Sequence, residues 1–209
     1  MTPVFERKVK PADCGLAFGL PLDRDEFESG LLETSSKDWA KFFSASHPEA
    51  LPNALWTEFY VPEIVEPAMA IIGIAERLNV TIYRACTLAD LSYAADRHAV
   101  LTLVSHWVED GAGGIELSDD LHPVEKVAAA LPTGYNRLLD LMICQSILLA
   151  DAVKRRYPDC ACLCNSKPVR PRRKLYLYGQ TLLAIEPGKL AYADAVFSTY
   201  REHLKGSKK

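Results

Sequence analysis

"HAVLTLVSH", residues 98–106, is an almost unbroken run of apolar and β-branched residues that ends on a histidine. A strand with one wet face alternates apolar and polar side chains, whereas a strand covered by helices on both faces has no need to. The run therefore predicts a central strand of a parallel sheet. Its neighbours agree. Upstream, "PEIVEPAMAIIGIAERLN" (62–79) carries apolar residues every three or four positions, and "VTIYRA" (80–85) reads as a short strand. "TLADLSYAAD" (87–96) follows as a helix with Thr87 as its N-cap.

Downstream, a glycine turn at Gly111–Gly114 and the strand "IELS" (115–118) predict a small hairpin, and "HPVEKVAAALP" (122–132) a helix with Pro123 in its first turn. Then come the strand "LLDLMI" (138–143), the helix "SILLADAVKRRY" (146–157) and the strand "CACLCNS" (160–166). Two more helices, "RRKLYLYGQTLLAI" (172–185) and "LAYADAVFSTYREHL" (190–204), close the pattern. Strands alternating with helices indicate βαβ units. The expected class is α/β, a three-layer α/β/α sandwich around a mainly parallel central sheet.

The first sixty residues are less regular. "PVFERKV" (3–9) suggests an edge strand, "CGLAFGLPL" (14–22) a short buried one, and "TSSKDWAKFFSA" (34–45) a helix capped by Ser35 or Ser36. We expect residues 1–60 to form an N-terminal extension packed on a domain spanning 61–204, with a disordered tail at 205–209.

The composition is that of an ordinary globular chain: 209 residues, 49% hydrophobic, 24% charged, with a net charge of −3. The slight acidity argues against a dedicated nucleic-acid binder. No apolar run is long enough for a membrane helix, and the charged start lacks the apolar core of a signal peptide. The six cysteines are then expected as reduced thiols in the cytoplasm.

Open α/β sheets bind ligands beyond the carboxyl ends of their strands. Two expected strands end on chemically useful residues, His106 and Cys144. Leaving the same sheet edge on neighbouring strands, they could face one another, and an imidazole beside a thiol can take its proton to give the nucleophilic thiolate. The bland alternative is a core cysteine and a structural histidine, and the spacing alone leaves both open.

The segment from "HAVLTLVSHWVEDGAGGIELSDD" to "VAAALPTGYNRLLDLMICQS" resembles the caspase-like clan of cysteine peptidases, in particular its CHAT branch. That pattern is a strand ending in the catalytic histidine, a hairpin, a helix, and a strand of the form D-L-x-x-x-C, which stands here as Asp140, Leu141, Met142, Ile143 and Cys144. The likeness covers about residues 64–204. It implies Cys144 as nucleophile, His106 as general base and then acid, and an oxyanion hole from the backbone N–H groups of Cys144 and Trp107. The family commonly has glycine after the histidine, where this chain has Trp107. The indole is expected as a substrate-pocket wall, with Glu109 and Asp110 on the same hairpin as further pocket candidates. Asp140, placed at the start of its strand, is given no catalytic role. The resemblance implies a protein or peptide substrate, a protein activator, and a setting in bacterial defence or programmed cell death. The alternative is a non-catalytic CHAT-like module that binds a partner. No cofactor, metal or membrane is called for.

Other constellations fit less well. Cys160, Cys162 and Cys164 would share one face of a strand about 6.6 Å apart, too far for adjacent members to share a zinc, whose thiolates sit roughly 4 Å apart. We expect packed strand cysteines and no metal. Ala150 occupies the position where a tyrosine phosphatase needs arginine, no C-x-x-C is present, and "DGAGG" lacks a phosphate-loop pattern. The basic run "KPVRPRRK" (167–174) reads as a solvated loop.

Overall fold

The computed structural model describes residues 4–30, 55–108, 113–166 and 170–206. In chain order its strands are β1 (Cys14–Phe18), β2 (Thr81–Tyr83), β3 (Val100–Val104), β4 (His106–Val108), β5 (Gly114–Glu116), β6 (Leu121–His122), β7 (Leu138–Met142) and β8 (Ala161–Leu163). The helices are α1 (Arg24–Gly30), α2 (Glu66–Arg77), α3 (Leu88–Arg97), α4 (Val124–Ala130), α5 (Ile147–Arg156), α6 (Pro171–Ile185) and α7 (Tyr192–Gly206). A π-helical run, Leu55–Val65, leads into α2.

Five strands form an all-parallel sheet in the order β2-β1-β3-β7-β8, and β4-β5-β6 form a small antiparallel sheet beside it. Helices cover both faces, which is why the central strands lack polar alternation. Successive side chains feed two cores. Leu16, Phe18, Val100, Val104, Leu138 and Met142 meet Ile71 and Ile72 of α2, Leu175 and Leu182 of α6, and Tyr192 of α7. On the other face, Leu101, Leu103, Leu139 and Leu141 meet Leu91 of α3, Val127 of α4, and Leu149 and Val153 of α5. Each such side chain contributes roughly 1.5–3 kcal/mol on burial, so a register slip of one residue would exchange the two cores and is excluded.

Two polar residues interrupt the first of these faces, Thr102 and Asp140, and they lie opposite one another in the β3–β7 register. The Tyr192 hydroxyl on α7 donates to Asp140 Oδ2 at 2.7 Å and lies 3.4 Å from Thr102 Oγ1. Asp140 therefore sits in the middle of β7, buried, and not at the start of its strand as expected from sequence.

Several expectations need correction. Residues 4–6 form a 3₁₀ turn, and among the described residues of the expected edge strand Lys8 makes an isolated bridge with Ala191 while Val9 N donates to Leu190 O at 3.4 Å. The "CGLAF" strand lies between β2 and β3, so the first sixty residues supply an interior strand of the sheet rather than only an extension packed on it. The 98–106 run ends as a parallel strand at Val104; Ser105 breaks it, and His106 opens the hairpin strand β4. Thr87 caps α3 as expected, its Oγ1 accepting from Asp90 N at 3.1 Å. The helix expected at 34–45 lies outside the described residues. At the carboxyl end, α7 continues through Gly206, beyond the expected start of the tail. Among the described residues, no helix is long and apolar enough to cross a membrane.

Candidate active site

The chain runs from β1 outward to β2 and then crosses to β3 on the other side of β1, so the crevice at the carboxyl ends of β1 and β3 is a topological switch point. A narrow cleft opens there. Leu20 enters it from beyond β1, Val104 and His106 from β3 and β4, Met142 and Cys144 from β7, and Lys174 and Leu175 from α6. β3 and β7 are neighbours with Val104 opposite Met142. Two residues beyond each partner come His106 and Cys144. Both chain segments leave the sheet at this edge, and His106 and Cys144 both line the cleft.

The turn bearing Cys144 is tightly specified. Gln145, the next residue, has φ +52, a left-handed conformation that costs a non-glycine residue about 1–2 kcal/mol. Four hydrogen bonds hold it there. Ser146 Oγ donates to Leu141 O at 3.3 Å and accepts from Asn165 N at 2.8 Å. Asn165 Nδ2 donates to Leu141 O at 3.0 Å, and Ile147 N donates to Asn165 O at 3.2 Å. The half-buried Cys144 is thereby thrown out of the sheet immediately before α5, whose first turn holds no acidic side chain. A helix N-terminus favours negative charge on a neighbouring sulfur.

His106 is buried and pairs across the hairpin with Glu116, while Ser105 Oγ donates to the Glu116 carbonyl. Residues directly opposite in an antiparallel ladder send their side chains to the same face. Glu116, itself buried, therefore accompanies His106. Sequence reading passed over it. The available signal was a carboxylate between Ile115 and Leu117, both buried, in the strand partnering the histidine.

Trp107 takes the opposite face with its partner Ile115 and joins the second core. A Cβ on Gly113, at φ +72, would come within 2.3 Å of Trp107 Cζ2, so the indole packs closely against that backbone. The expected pocket wall is thus corrected: the side chain is 7% exposed and lines the other core, not the cleft. Glu109 and Asp110 lie outside the described residues.

Lys174 borders the cleft and also a second cavity that contains Asp140. Its ammonium stands 5.0 Å from the Tyr200 ring centroid, and burial lowers its pKa while the Asp140 charge raises it. Burial pushes the Asp140 carboxyl up, against the opposing effects of the Tyr192 hydrogen bond and Lys174. No group of three or more His, Cys, Asp or Glu among the described residues is arranged to hold a metal ion. The cysteine spacing also departs from expectation. Cys160 lies just outside β8, and its sulfur is 3.9 Å from that of Cys162.

Compared with known proteins, the chain matches no family model, and no curated protein matches it.

Proposed function

We propose that the chain is a cysteine endopeptidase of the caspase-like clan, CHAT branch, acting through Cys144 and His106. The observation that supports this most is their convergence on one cleft just beyond the carboxyl ends of two neighbouring parallel strands, with Cys144 on a strained turn before a helix N-terminus. His106 takes the thiol proton, and the sulfur attacks the scissile carbonyl. The backbone N–H groups of Cys144 and Trp107 receive the oxyanion, a role for which the burial of the Trp107 side chain is immaterial. His106 then returns the proton to the leaving amine, and water hydrolyses the thioester. Glu116 acts through His106 as a positioning residue, holding the imidazole toward Cys144. The apolar walls Leu20, Val104 and Met142 exclude water and strengthen these interactions. The substrate is a protein or peptide, a partner protein activates the enzyme, and its setting is bacterial defence or programmed cell death. Six free thiols suit a reducing compartment, which we take to be the cytoplasm.

The test is hydrolysis of a mixed-sequence protein substrate, with products read by mass spectrometry. Cleavage by the wild type and its loss in Cys144→Ala and His106→Ala, with unchanged thermal unfolding, is the expected result. Cleavage that survives Cys144→Ala refutes the assignment. A wild type that binds a partner and cleaves nothing in its presence favours the non-catalytic module.

A further inference from the structure

The three cysteines of "CACLC" take no part in the chemistry above, and the sulfurs of two of them lie 3.9 Å apart. Ideal strand geometry separates alternate residues by about 6.6 Å. Cys160 and Cys162 bring their sulfurs to 3.9 Å because Cys160 belongs to the turn before β8. That turn is fixed from two sides. Cys160 N donates to Tyr157 O at 3.1 Å, and Lys154 Nζ donates to the carbonyls of Pro158 and Cys160, each at 2.6 Å. Cys160 is buried at 3% exposure, whereas Cys162 is half-buried and lines the second cavity.

We propose that Cys160 and Cys162 form a dithiol site that is oxidised reversibly to an intramolecular disulfide by a low-molecular-weight disulfide such as oxidised glutathione. Cys162, open to the cavity, attacks one sulfur of the incoming disulfide, forming a mixed disulfide and expelling one thiolate, which takes the Cys162 proton. Cys160 then attacks the Cys162 sulfur and expels the second thiolate, which takes the Cys160 proton. Two protein thiols are oxidised, and one disulfide is reduced to two thiols. The Cys162 S–H hydrogen bond and, against burial, the Lys154 charge lower the Cys160 pKa; the hydrogen bond ends once Cys162 is a mixed disulfide, and the Lys154 charge remains for the second step. Cys164 is the competing thiol. It is exposed and also lines the cavity.

The test is incubation of the native full chain in oxidised glutathione, alkylation of the remaining thiols, and fragment mass spectrometry of the peptide carrying all three cysteines. The expected product has lost two hydrogens between Cys160 and Cys162, retains an alkylated Cys164, and returns to three alkylated thiols after reduction. Cys164→Ser should leave this product unchanged, and Cys162→Ser should abolish it. Coupling of Cys162 to Cys164, a disulfide between two chains, or a native chain that keeps all three thiols overturns the proposal. Modification of Cys144 falls on a separate peptide and does not affect the reading.

Discussion

Gln145 carries backbone strain that the cysteine turn requires. Its φ of +52 suits glycine, so Gln145→Gly should stabilise the fold by up to about 1 kcal/mol, and Gln145→Val should destabilise it by at least as much, both read from urea midpoints. If Gln145→Gly lowers the midpoint, the turn is not the strained element proposed. Glu116 sets a second expectation. Glu116→Gln keeps the shape of the side chain and removes its charge, so kcat should fall on the order of tenfold while KM stays near the wild-type value. A merely structural glutamate would lower the midpoint and leave kcat alone. The meeting of His106 and Cys144 at one cleft was legible in the sequence because each follows a continuous apolar strand. Glu116 was not, since its value depends on pairing across a hairpin whose register no local pattern specifies. Nor was the closeness of Cys160 to Cys162, because it depends on where β8 begins.

At the scale of elements, the β4–β5 hairpin aims the histidine. Its twofold alternation sends His106 and Glu116 to one face and Trp107 and Ile115 into the second core. The Trp107 indole packs against Gly113, whose lack of a Cβ leaves room for the ring. Gly113→Ala adds a Cβ at positive φ and drives it into the Trp107 ring, so a loss of about 2 kcal/mol or more is expected in chemical denaturation. Helices and buried strands were readable from periodicities of 3.6 and from unbroken apolar runs. The break at Ser105 was not, because a strand that leaves one sheet for another keeps its apolar character throughout. The interior place of β1 was equally hidden: five residues carry no mark of which strands they will join.

Across the whole molecule, two cores of unlike polarity sandwich the sheet. One is apolar around the hairpin and α3–α5, and the other holds a buried carboxylate beneath α6 and α7. Because folding raises the Asp140 pKa above its unfolded value, its ionisation opposes folding. The fold is relieved of that cost below the unfolded carboxylate range, near pH ~4, and bears it fully once pH exceeds the raised value. The Tyr192 hydrogen bond favours the charged form. Tyr192→Phe should therefore cost about 1.5–3 kcal/mol at neutral pH and less as the carboxyl becomes protonated, measured by urea unfolding at several pH values. A loss independent of pH would assign the hydroxyl to Thr102 instead.

The cleft unites both halves of the sheet, and its proposed chemistry rests on Cys144 and His106 sharing a proton. The rate of iodoacetamide alkylation at Cys144, followed peptide by peptide across pH in the wild type and in His106→Ala, measures this directly. Fast labelling of Cys144 at neutral pH, outpacing the other five cysteines and slowed by His106→Ala with its pH dependence shifted upward, is the predicted result. Equal rates and equal pH dependence in the two proteins would contradict it.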